Sequence, residues 1–331
     1  MMGWWNNILR QRASQWTYGA LAPGQVPDRL EHRPVQADME YVSIFLRSMR
    51  VVDVRRGLKK FYGTVHSFIT LPYDGDDAKF HVLTTPSDLK NIDPTNLDRV
   101  ITLNFPLLGP VPYRGGGIQM ELGLFSIMSV DLADACLSIL QRMASDAGVT
   151  FVSKALPFVG PIMDGIGLLT GSSSDTILEI GVNNNFDKLE TGYFVAIRAP
   201  AGTIDLSGIK LNENRWLVDK NGQLIGEFPY MVFSIEASSH RENWRSIPEI
   251  AKAHADLISM VRQRSFNATN EAFTVFKTIA MTCPDLLRND AANLVAQVDD
   301  DIKLALPGLQ TKAFSGKIPR IRSLSEIELY Q

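Results

Sequence analysis

The sequence predicts an α+β protein, mainly an antiparallel β-sandwich with strands at about 41–129 and 176–237, an inserted helical hairpin and a C-terminal three-helix cap. Three observations lead there. Short runs rich in β-branched and aromatic residues recur between Gly, Pro and Asp, with no helical patterns alternating among them, which argues against a βαβ sheet. A helical period interrupts these runs over 131–148 and returns from Ser246. At 331 residues, 45% hydrophobic and 21% charged, the chain has a globular composition and the length to bury a substantial core.

Residues 1–37 read as an amphipathic arm and linker, helical in its first turns and then extended through the Pro-rich ALAPGQVPDRLEHRP. The body is expected over 38–240. YVSIFLRSMRVVDV, GTVHSFITL, KFHVLTTP and DRVITLNF are its first strands. In GIQMELGLFSIMS (117–129), Ile118, Met120, Leu122 and Leu124 share one side, and Gln119, Glu121 and Gly123 the other. The period then becomes helical: Leu132, Cys136, Ile139, Leu140 and Met143 form one stripe of an insertion spanning 131–171. Strands resume with DTILEIGV, TGYFVAIRAP, GTIDLSGIKL, NRWLVDKNGQLIGEF and PYMVFSIEA, where Asn221-Gly222 is the strongest hairpin signal.

The helical cap covers 241–305. Ser246 is the expected N-cap of its first helix, with Pro248 and Glu249 in the first turn. A second helix runs through NEAFTVFKTIAMTC to a stop at Pro284, and DAANLVAQVDDDIKLAL makes a third. Residues 306–331 read as a basic tail.

Several function classes lose support. A net charge of −3 argues against general nucleic-acid affinity. Two cysteines, Cys136 and Cys283, define neither a disulfide framework nor a metal site, and point to a reducing, cytoplasmic setting. The first sixteen residues lack the apolar run of a secretory signal, so Asn267-Ala-Thr269 is read as a chance sequon. The most apolar stretch, 149–171, is interrupted by Lys154, Pro157, Pro161 and Asp164 and makes no conventional span.

Nucleotide-binding glycine motifs are absent; Arg114–Gly117 is glycine-rich but leads into a strand, so it reads as a tight loop. The five histidines show no ligand spacing, although His66 and His81 flank one expected hairpin. No catalytic residues can be named; a hydrolase with dispersed residues is the enzyme alternative, because such sites are defined by geometry. Asp74, Asp76 and Asp77 crowd a hairpin tip, and Asp53 ends an earlier strand, a set that could attract calcium. This loop resembles the calcium loops of C2 domains, which implies a calcium-dependent lipid-binding alternative; the competing reading is a solvated turn. No other cofactor is expected.

Three segments carry chemistry suited to something other than water. In the arm, Trp4, Trp5, Ile8, Leu9 and Trp16 fall on one helical arc beside arginines, which suits a bilayer interface or a protein groove. PFVGPIMDGIGLLTG (157–171) combines four glycines and two prolines with apolar Phe158, Ile162 and Ile166, and reads as closely packed core or as a membrane-active segment. The tail places Lys312, Lys317, Arg320 and Arg322 in a stretch without acids, read as solvated, as a contact for an anionic surface, or as a peptide lying on a neighbouring subunit. The expected role is a non-enzymatic assembly or effector subunit that binds protein partners, other copies of itself and peripherally a membrane, with pore formation as the sharper version.

Overall fold

Tyr41–Arg50 is a ten-residue strand, paired on both sides within the largest of the antiparallel sheets among the described residues. The computed structural model describes residues 16–51, 55–56, 59–60, 62–73, 76–83, 101–127, 176–199 and 202–307. Among these residues the chain is mixed helix and strand, with antiparallel sheets and three α-helices. It divides into two units, 1–242 and 243–331, and the sheets belong to the first.

The strands are β1 (Trp16–Leu21), β2 (Tyr41–Arg50), β3 (Arg55–Arg56), β4 (Lys59–Lys60), β5 (Tyr62–Tyr73), β6 (Asp76–Leu83), β7 (Ile101–Pro112), β8 (Ile118–Ile127), β9 (Thr176–Phe186), β10 (Gly192–Arg198), β11 (Lys210–Leu211), β12 (Leu217–Val218) and β13 (Tyr230–Ser238). The larger sheet has the order β1-β10-β13-β2-β7, and the second has β6-β5-β8-β9. β3–β4 and β11–β12 form two-residue ladders. In β8 the alternation read from the sequence holds: Ile118, Met120, Leu122 and Leu124 are buried. The runs GYFVAIR and YMVFSI of β10 and β13 do not alternate, and both are buried almost throughout because both faces of their sheet are covered. One cluster of buried apolar side chains draws on strands of both sheets.

β2 carries a bulge. Its neighbour β13 pairs Phe233 with Leu46 and Val232 with Ser48, which leaves Arg47 as the extra residue. The same irregularity recurs on the other side, where Leu46 faces Phe105 and Ser48 faces Thr102. The bulge breaks the alternation, so Leu46, Arg47, Ser48 and Met49 are all buried.

Three expectations change. Trp16, assigned above to the helical arm, begins β1 opposite Arg198, because Trp16–Leu21 is recruited into the ladder of β10. Residues 202–228, read as strands with a hairpin turn at Asn221-Gly222, are mostly turns, with a 3-10 turn at Leu206–Gly208 and only two short strands. The cause is three side-chain acceptors seven residues apart. Asp205 accepts from Ser207 N–H, Asn212 from Asn214 and Trp216 N–H, and Asp219 from Asn221 and Gln223 N–H. Each offers the backbone a local partner that competes with a ladder. At the last of them Asn221-Gly222 does turn the chain, with Gly222 at φ +79°.

In the second unit, α1 (Pro248–Arg262), α2 (Phe266–Thr282) and α3 (Arg288–Ala305) are the three helices read from the sequence. Ser246 does not cap α1: its hydroxyl donates to the Asn243 carbonyl at 2.5 Å, and Ile247 takes the cap position. α2 ends before Pro284, with Cys283 extended at ψ 120°. The insertion at 131–171 and most of the tail lie outside the described residues.

Candidate functional site

The turn-rich segment after β10 covers one face of the larger sheet, and its anchors come from distant parts of the sequence. The Gln25 side chain donates to the carbonyls of Leu206 and Ile209 at 2.7 and 2.5 Å. Arg50 at the end of β2 donates Nε and Nη2 to the Gly226 carbonyl at 3.0 and 2.7 Å. Leu217 N–H donates to the Tyr230 hydroxyl at 3.3 Å, and burial pushes that hydroxyl's pKa up. On β1, a Cβ added to Gly19 would lie 2.5 Å from Leu206 Cδ1, so any larger residue there must displace the end of the Leu206 side chain that reaches over from the 3-10 turn.

Between the 3-10 turn and the turn at Asp219 opens a groove of about 500 Å³. Ile204, Ile209, Ile225 and Phe228 supply apolar surface, and Leu224 stands 51% exposed beside them. Asp205, Asp219, Glu227 and Lys220 line it as well. Hydrogen bonds from the Ser207 hydroxyl and N–H hold the Asp205 carboxyl below its ordinary pKa. Asp219 is held low in the same way, chiefly by the Gln223 N–H and then by Asn221. Both carboxylates are therefore committed to backbone donors and stay charged through neutral pH.

The same face carries a polar cluster around the buried Arg47 and Ser234. Arg47 donates Nε to Ser234 Oγ at 2.7 Å, Nη1 to Asn104 Oδ1 and Nη2 to Glu236 Oε1, and its guanidinium lies 4.6 Å from the centre of the Phe45 ring. Ser234 Oγ donates in turn to Glu236 at 3.0 Å. Nearby, the Tyr193 hydroxyl donates to Asp28 Oδ2 at 2.5 Å, and burial, then this bond, push it up to about 12. Arg47 and Ser234 therefore find their polar partners within the cluster.

Most residues singled out from the sequence lie elsewhere. Trp4, Trp5, Ile8, Leu9, Asp53, Asp74, Phe158, Ile162, Ile166, Lys312, Lys317, Arg320 and Arg322 fall outside the described residues. Asp77 and Asp76 sit in β6 opposite Pro72 and Tyr73. His66 pairs with Leu83 and His81 with Phe68, so the two histidines are not directly opposed. Among the described residues no group of three or more metal-ligating side chains occurs, and no helix is long and apolar enough to cross a membrane. Arg114–Gly117 makes the tight loop expected of it, with Gly115 and Gly116 at φ +86° and +80°. The groove itself was not read from the sequence; its one local signal is the spacing of Asp205, Asn212 and Asp219. Comparison with family models, with curated proteins and with solved structures finds no match.

Proposed function

We propose that the chain is a protein-binding assembly subunit, in which the two sheets pack as one sandwich and the groove over the larger sheet receives an extended segment of a partner. The sandwich is supported by the single apolar cluster that both sheets share and by Phe186 of β9, whose ring meets Phe194 of β10 at 5.7 Å. The observation that carries the function is the groove: apolar surface beside an exposed Leu224 and charged groups, on irregular backbone that side chains from β2 and from Gln25 fix in place. Preorganised concave surfaces with a few placed polar groups are where affinity is gained at least ordering cost. The groove's two best-defined carboxylates are already engaged by backbone donors and held well below neutrality. That suits recognition and not proton transfer, which needs a group titrating near working pH.

The test is selection of peptides from a displayed random library on the immobilised full chain. Binders are expected to lose about tenfold or more in affinity for Leu224→Asp, a change at an exposed position that spares the fold. An empty selection, or binders indifferent to Leu224→Asp, overturns the reading.

A further inference from the structure

Building on that reading of the groove, we infer that its occupant is the C-terminal segment 308–323 of a second copy of this chain. The first argument is charge. The groove is lined by Asp205, Asp219 and Glu227 against Lys220 alone, an excess of two negative charges. The segment GLQTKAFSGKIPRIRS carries Lys312, Lys317, Arg320 and Arg322 and no acid, in a chain whose net charge is −3. Complementary potentials of this kind guide association and reject like-charged partners.

The second argument is shape. The groove is a slot of about 500 Å³ with mixed polar and apolar walls, enough for a few side chains and far too small for a folded element. Lys317–Arg322 places Ile318 and Ile321 three residues apart around Pro319. The residue before a proline favours extended or polyproline II backbone, and in the latter, with about three residues per turn, the two isoleucines share one side. Ile318 and Ile321 can meet the apolar surface while Lys317, Arg320 and Arg322 reach the carboxylates at its edge.

The third argument is reach. The described chain ends at Pro307, and 24 residues follow to Gln331. Extended, the sixteen of them in 308–323 span up to roughly 50 Å, ample to cross from one copy to the next. Groove and segment are different surfaces, so reciprocal exchange between two copies gives a two-fold dimer, and one-way repetition gives a larger ring or a filament.

The test is sedimentation velocity on the full chain up to about 100 μM, which detects contacts with Kd near that value or below. Two charge-reversal variants are compared with the parent. One carries Gln223→Lys and Glu227→Lys; Gln223 gives only backbone groups to its turn, so the fold is spared. The other carries Lys317→Glu and Arg320→Glu. The expected result is self-association that each variant weakens about tenfold and that a mixture of the two variants restores, since the reversed groove then meets a reversed segment. A parent that stays monomeric overturns the inference, as does association that either variant leaves intact or the mixture fails to restore. Peptide binders lost on Leu224→Asp alongside a monomeric chain would retire the self-docking inference and keep the groove as a binding site. Binders that ignore Leu224→Asp would retire the groove itself.

Discussion

The two faces of the larger sheet solve burial in opposite ways. On one face Phe194 and Phe233 stack at 5.4 Å, Tyr18 lies parallel to them at 6.4 and 6.3 Å, and His32 and Phe186 meet Phe194 edge-on. On the other, Arg47, Ser234, Glu236, Asp28 and Tyr193 form hydrogen bonds beneath a lid of turns. The aromatic face gains stability from area and dispersion, which are undirected and additive. The polar face gains little net stability, since its bonds replace bonds to water, but it admits few alternative arrangements. A face of this second kind suits the support of a binding groove, where position matters more than stability.

That contrast is broken most severely at Phe233. The side chain is fully buried in the stacked aromatic row, and Phe233→Ala is expected to cost about 3–5 kcal/mol, with no second substitution able to recover it. Denaturant unfolding followed by circular dichroism measures the loss. On the opposite face Arg47→Met is expected to cost about 1–3 kcal/mol, because it takes one donor from buried Ser234 and the charged partner from half-buried Glu236, which keep only their bond to each other. Here a second change should help: Arg47→Met with Glu236→Gln should regain part of the loss, since an unpaired charge that is partly shielded from water costs more than a neutral amide in its place. A double variant no more stable than the single one would refute the distinction between the faces.

The polar face should also be the alkali-sensitive one. Tyr193 is held up to about 12 by burial first and by its bond to Asp28 second, whereas an unfolded chain ionises its tyrosines near 10. A raised pKa means that the unfolded state loses its proton first. The contribution of Tyr193 is therefore complete below about pH 10 and falls as pH rises toward 12, by about 2–3 kcal/mol over the full interval. Unfolding free energies at about pH 9 and pH 11 should fall more steeply for the parent than for Tyr193→Phe. Tyr230, raised as well, remains in both proteins and cancels in the comparison. Parallel slopes would show that Tyr193 is not insulated from solvent.

The aromatic face was legible in the sequence and the polar face was not, for a physical reason. Strands such as YMVFSIEA and TGYFVAIRAP announce themselves through β-branched and aromatic content, and Ile118, Met120, Leu122 and Leu124 through a period of two. The helices of the second unit are legible through their 3.6 period and Pro284. Arg47 carries no such signal, because its burial follows from a bulge set by the partners of β2, sixty and nearly two hundred residues away. The groove is harder still. Its apolar residues Ile204, Ile209, Leu224, Ile225 and Phe228 look like strand, and only the competing acceptors Asp205, Asn212 and Asp219 turn them into a rim and floor. Ser246 failed as a cap for a related reason: a closer carbonyl, that of Asn243, captured its hydroxyl.

The smallest expected change in stability comes with the sharpest separation of support from binding. At Gly19 an added Cβ meets the end of a single flexible side chain, Leu206, at 2.5 Å, and strand residues suit valine better than glycine. Gly19→Val should therefore change unfolding free energy by no more than about 1 kcal/mol, the crowding offset by strand propensity. Leu206 belongs to the 3-10 turn and its carbonyl is one of the two held by Gln25, so repacking of its side chain is expected to shift the turn at the groove's edge. Peptides selected on the parent should then bind the variant about tenfold more weakly, since small displacements of a preformed groove forfeit its complementarity. Retained binding at retained stability would mean that the turn adjusts without cost and that the face beneath it does not set the groove's shape.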